Sequence, residues 1–314
     1  MTIKKWLIAA SSLVVLGTMI STLTACSANW SFKNLFTKNG ITQTHEITEE
    51  FSNILIETDT ADISLVPAED GKCKVVCHER KNQTHSVYVK NGTLVIDEND
   101  KVSFFNMVQP TITIYLPKNE YTSLLIDEDT GDIEIPKDFK FENVDIETDT
   151  GDVKFLASAS KDVKIKTDTG DICLENISAK SLELSVSTGH IKVLGASCDG
   201  DITIKVSTGK ANLSNVTCQS LKSNGNTGDI SLTNVIAKNK LSIERSTGDV
   251  KFDRCDAAEI HVETSTGDVK GTLLSEKVFI TNTSTGKVDV PKTITGGRCE
   301  ITTSTGNIKI SIAN

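Results

Sequence analysis

The sequence predicts an all-β protein: a parallel β-solenoid (β-helix) of about ten 19–20-residue coils, with an antiparallel β cap at its N-terminal end. Three observations carry this reading. First, a Thr-Gly corner, most often followed by Asp, recurs every 19 or 20 residues, with its glycine at Gly131, Gly151, Gly170, Gly189, Gly209, Gly228, Gly248, Gly267, Gly286 and Gly306. A period of this length marks a stacked array. Second, apolar and polar residues alternate on both sides of each corner, as at Val163, Ile165, Ile172 and Leu174; period two is the signature of a half-buried strand. Third, the period fails once, over the 70 residues between the corner Thr60-Ala61-Asp62 and Gly131.

The N-terminal segment, residues 1–25, reads as a signal peptide or membrane anchor. Lys4 and Lys5 precede an apolar run from Trp6 to Ala25 that ends Leu23-Thr24-Ala25-Cys26. A basic start and small residues at the end mark a secretory leader. This ending resembles a bacterial lipobox, which makes Cys26 the lipid-attachment residue. The same run is also long enough for an uncleaved span. Either way the remainder lies outside the cytoplasmic membrane. Residues 26–45, rich in Ser, Asn, Lys and Thr, form a tether.

Residues 46–120 read as a first coil plus the cap. Ile54 and Ile56 before Ala61, and Ile63 and Leu65 after it, match the repeat surroundings. Asn91-Gly92 between alternating runs signals a hairpin. Residues 121–314 are the repeats. The expected inward positions lie five and seven residues before each glycine and two, four and seven after it. The last is filled by Ile177, Val216, Val235 and Leu274, and the second and fourth by pairs such as Val288 and Val290. No coil carries an inserted loop. The coil before Gly228, with Ser223 and Gly225 at inward positions, and the strand after Gly267, where Gly271 replaces an apolar residue, are the expected weak points of the stack.

The net charge of −9, or −11 without Lys4 and Lys5, argues against nucleic-acid or anionic-lipid binding by the surface. No cofactor is implied. Cys198 and Cys218 fall on neighbouring coils within disulfide reach, yet Ala179 and Ala237 hold the same place in flanking coils, which favours small-residue packing. Asp129, Asp132, Asp149, Asp152, Asp168 and Asp171 should form an acidic ladder, a weak calcium candidate beside the simpler reading of solvated turn-capping carboxylates. Cys73, Cys77, His78 and His85 invite a zinc reading, but alternation turns His78 away from Cys77, so no metal site is expected. The five histidines show no nucleophile–base pairing, and the chain is read as non-enzymatic. The cap holds Arg80 and Lys81, and the cluster Phe104, Phe105 and Met107. These residues either plug the end of the stack or form a partner-binding tip.

Repeats such as Val144-Asp-Ile-Glu-Thr-Asp-Thr-Gly-Asp-Val153 and Leu241-Ser-Ile-Glu-Arg-Ser-Thr-Gly-Asp-Val250, together with Ile112-Thr-Ile-Tyr-Leu-Pro117, resemble the bacterial "putative adhesin" family. This is a domain of unknown function built of β-strand repeats and found on many Gram-positive surface proteins. The resemblance spans roughly residues 45–314. It implies a β-solenoid and a surface or envelope role, and supplies no catalytic residues. The function it points to is a membrane-anchored scaffold with adhesin-like binding, its partner a surface glycan, matrix component or membrane protein. Some relatives sit beside envelope-stress signalling genes, which gives the alternative of an accessory to envelope-stress sensing that meets a membrane-protein partner.

Overall fold

A computed structural model describes residues 40–79, 84–99 and 109–313, which form 25 β-strands and no helix. No helix among them is therefore long and apolar enough to cross a membrane. The leader, Cys26, Arg80, Lys81, Phe104, Phe105 and Met107 lie outside the described residues.

One coil shows the plan. Asp162–Thr169 enters the Gly170 corner, and Ile172–Ala179 leaves it. Val163, Ile165, Thr167, Ile172, Leu174, Ile177 and Ala179 are all buried. Two positions after Leu174, Asn176 turns the strand through a left-handed conformation, φ 54°; this keeps Ile177 facing inward. The next coil repeats each choice in parallel register: Val163 opposite Leu182, Ile165 opposite Leu184, Ile172 opposite Ile191. Apolar side chains at equivalent positions thus stack in columns through one continuous core, and each coil depends on its neighbours for burial.

The corners stack backbone on backbone. At Gly209, φ is 138° and a Cβ would stand 1.7 Å from the carbonyl oxygen of Gly189. No side chain fits there, which explains why the corner is glycine. At the Ala61 corner the N–H donates to Thr130 O at 3.2 Å.

The capped end is built from β1 (Ile41–Ile47), β2 (Asn53–Thr60), β3 (Asp62–Pro67), β4 (Cys73–Glu79), β5 (His85–Lys90), β6 (Thr93–Glu98), β7 (Thr111–Leu116), β8 (Glu120–Thr130) and β9 (Ile133–Ile135). Sequence order and stack order differ. β2 lies between β6 and β8, all parallel, and β3 lies between β7 and β9. The first coil of the sequence is therefore the second of the stack. The antiparallel cap follows: β1 pairs with β4, β4 with β7, and β5 with β6. Asn91 and Gly92, at φ 51° and 73°, form the tight β5–β6 hairpin.

The other end leapfrogs too. Gly297–Thr305 pairs on one side with the strand containing Ile260–Thr266 and on the other with Lys277–Thr285. The last coil of the sequence thus lies inside the penultimate one. The inner place goes to the more apolar coil: Cys299, Ile301, Ile308 and Ile310 are buried, whereas Thr281 holds the position matching Ile301.

Two inward assignments need correction. Leu274 is exposed and Leu273 is buried instead, because Leu273 pairs with Cys255 across a register shift that shortens the bend. Val288 is 45% exposed, since its coil ends the stack.

Candidate functional site

The acidic ladder divides into two rows. Where Asp follows the corner residue, its carboxylate turns onto the next coil. Asp62 Oδ1 accepts the N–H of Asp132 at 3.1 Å, Asp132 that of Asp152 at 2.9 Å, and Asp152 that of Asp171 at 2.7 Å. Asp171 accepts the N–H of His190 at 2.7 Å. The ladder resumes from Asp229 through Asp249 and Asp268 and passes to Asn307. The Asp of the corner thus ties coil to coil. Burial raises its carboxyl, to about 6 in Asp152, even though the Asp171 amide opposes the shift. Asp129, Asp149 and Asp168 form the outer, exposed row. Among the described residues, these six aspartates do not bring three carboxylates into ligand distance of one another.

A further inward column, three residues before each glycine, is mostly polar and was not evident from alternation. Thr58, Glu128, Thr148, Thr167, Arg245, Thr264 and Thr303 are all buried there. Thr167, Thr264 and Thr303 donate their hydroxyls to the carbonyls of Gly151, Gly248 and Gly267 at 3.2, 3.3 and 3.1 Å. Glu128 Oε1 accepts the Ala61 N–H at 3.1 Å, while Oε2 is buried without a partner. Burial, reinforced by Asp62, Asp132 and Asp129, pushes the Glu128 carboxyl up to about 9, so it is neutral at pH 7.

At the Glu79 end of β4 a second polar group is enclosed. Cys77 and Glu79 share the inward face of β4, and His85 enters from β5. His85 Nδ1 lies 3.0 Å from Glu79 Oε1, which also accepts the His85 backbone N–H at 2.6 Å. His85 Nε2 lies 2.9 Å from Thr58 Oγ1, and that hydroxyl donates to Glu98 Oε2 at 3.0 Å. Glu98 Oε2 also accepts the Asp59 N–H at 2.7 Å. His78 faces away, bonded to Thr42 Oγ1 at 2.9 Å. Cys77 and His85 therefore come together as the zinc reading required, but the third side chain is Glu79. The signal was present, since alternation from Cys77 reaches Glu79. Burial pushes the Cys77 thiol up to about 12, so this Cys-His-Glu set lacks the exposed thiolate that nucleophilic catalysis needs.

At the opposite end of β4 lies a groove of about 1010 Å³. Phe51, Tyr115 and Tyr121 line it together with Glu49, Glu50 and Glu69. Phe51 and Tyr121 stack with ring centroids 6.0 Å apart, the Tyr121 hydroxyl donates to Pro117 O at 2.9 Å, and Lys74 Nζ sits 4.4 Å from the Tyr115 ring centroid. Of the predicted tip residues, only the flanks are described: the Asn99 N–H donates to Thr84 O at 2.9 Å. The residue before the 100–108 segment therefore meets the residue after 80–83. Cys198, Cys218, Cys255 and Cys299 are buried free thiols, in accord with packing rather than cross-linking.

Repeated coils, glycine corners and an antiparallel cap define a capped parallel β-solenoid. The family model Toastrack DUF4097 matches residues 51–205 and 196–314, and the chain belongs to this family. No curated protein sequence matches it. Among solved structures, a "putative adhesin" from Parabacteroides distasonis is similar with a TM-score of 0.50 at 12% identity, covering 86% of this chain and 97% of that one. A "putative adhesin" from Bacteroides fragilis gives 0.47 at 17%, covering 88% and 98%. A "putative lipid binding protein" from Parabacteroides distasonis gives 0.46 at 17%, covering 87% and 98%. Likeness at such identity shows the fold alone.

Proposed function

We propose that the chain is a membrane-anchored scaffold on the extracytoplasmic face of a bacterial cell, an adhesin-like binding or structural module without catalysis, whose contact end is the cap. The observation that carries this is the contrast between wall and cap. Between residues 121 and 289 the wall has no connection longer than four residues, and its charges pair between coils: Lys154 with Glu134, Lys164 with Asp145 and Lys205 with Glu183, at 2.8, 3.1 and 2.6 Å. Such a surface is solvated and neutralised locally. The cap holds the aromatic groove and the flanks of residues 80–83 and 100–108, the stretch of sequence where the repeat period fails. Arg, Met and aromatic residues, the types at Arg80, Phe104, Phe105 and Met107, are those enriched at interfaces.

Anchoring rests on Leu23-Thr24-Ala25-Cys26. Metabolic labelling with a lipid analogue is expected to tag the wild type and not Cys26→Ala, and the variant's cells are expected to lose attachment to matrix, glycan or other cells. Equal labelling of both proteins would refute the lipid anchor. Attachment by neither, with a membrane protein co-purifying instead, would favour the envelope-sensing alternative.

A further inference from the structure

We propose that Cys77, Glu79 and His85 form a binding site for one divalent transition-metal ion of the zinc class. The site is separate from the surface role proposed above. One donor atom from each side chain lies within 4.8 Å of the other two, and the three residues are 0%, 0% and 2% exposed. Two atoms bound to a tetrahedral zinc at about 2.0–2.1 Å stand roughly 3.3 Å apart; His85 Nδ1 and Glu79 Oε1 stand 3.0 Å apart.

The hydrogen bonds assign the atoms. Thr58 has one proton and donates it to Glu98 Oε2, so it receives the Nε2–H of His85. Nδ1 is then the ligating nitrogen, on the side of Glu79. A ligating histidine characteristically gives its other N–H to a polar partner that fixes the ring; here the Thr58–Glu98 pair has that place. The independent sign is Glu79 Oε2, a fully buried carboxylate oxygen with no hydrogen-bond partner. Buried polar atoms are rarely left so. Bound through both oxygens, Glu79 would complete a set of four donor atoms with Cys77 Sγ and His85 Nδ1.

Donor chemistry selects the ion. A sulfur, a nitrogen and a carboxylate suit zinc and its neighbours, whereas calcium and magnesium require oxygen cages. Thiolate and carboxylate charges together cancel a dication, leaving a neutral centre in the interior. The ion would join β4 directly to β5, which pairs only with β6 among the described strands. It would also fix the base at which Thr84 meets Asn99.

The test is cobalt titration of the full chain, reduced and stripped of metal by chelator. The wild type is expected to develop a thiolate-to-cobalt charge-transfer band and tetrahedral ligand-field bands, saturating at one ion per chain and abolished by zinc. Cys77→Ser should lose the charge-transfer band and Glu79→Gln should weaken binding at least tenfold, while Cys198→Ser and Cys299→Ser keep both. No band in the wild type, or a band that survives Cys77→Ser, would overturn the proposal and leave a buried Glu79–His85 pair. Where the variants fail to fold, X-ray absorption of the zinc-loaded wild type decides: one sulfur ligand supports the site, and none or several refute it.

Discussion

The Glu128 carboxyl is buried in a column where most coils place Thr or Val, and its raised pKa makes the stack pH-sensitive. The folded value, about 9, exceeds that of an unfolded glutamate, so the folded state holds the proton more tightly. This contribution is fully present below about pH 4.5 and is lost as pH rises through about 9, at ~1.4 kcal/mol per pH unit. Asp152 acts with the same sign, through about 6. Thermal melts should therefore give a higher Tm at pH 5 than at pH 8, and Glu128→Gln should flatten that difference and exceed the wild type at pH 8. Identical pH dependence of the two proteins would refute this. A second residue is strained. Arg254 has φ 54° at the bend where other coils have Asn176, Gly195, Asn215 and Asn234. A left-handed conformation costs an ordinary L-residue roughly 1–2 kcal/mol, so Arg254→Asn should stabilise by about 0.5–1 kcal/mol in denaturant unfolding.

Among the elements, the coil before Gly228 is expected to be weak, for a reason the sequence did not disclose. Ser223 and Gly225 read as missing core volume. The structure fills that volume with the next coil's Arg245, whose Nη1 would stand 1.5 Å from a Cβ at Gly225 and whose Nη2 donates to Ser223 Oγ at 2.8 Å. Arg245 is 5% exposed, its Nε has no partner, and burial alone lowers its pKa to about 10. A buried cation without a carboxylate costs more than a packed apolar chain. Amide exchange should be faster over residues 217–228 than over 144–175. Arg245→Met should narrow the gap and stabilise by about 1–3 kcal/mol. Uniform protection in the wild type would contradict this account. Coil length, corner and inward alternation were legible because the repeat states them ten times over. The polar column was not, because Thr167 and Thr264 have the composition of surface residues and are buried with their hydroxyls bonded to neighbouring corners.

For the whole molecule, the order of coils was the least legible feature. Near-identical coils compete for the same neighbours, and small differences, such as Ile301 against Thr281, settle which lies inside. The cap was legible as strands and a hairpin, but the meeting of Cys77, Glu79 and His85 required β5 to be placed. In the proposed function the wall is scaffold and the cap makes contact. The most direct test compares attachment by cells displaying anchored variants. Tyr115→Ala and the double exchange Phe104→Ser with Phe105→Ser should abolish attachment, while Lys164→Glu and Lys205→Glu on the wall leave it intact, all four folding with wild-type circular dichroism. Attachment that survives the cap exchanges in folded protein, and falls with the wall exchanges, would contradict it.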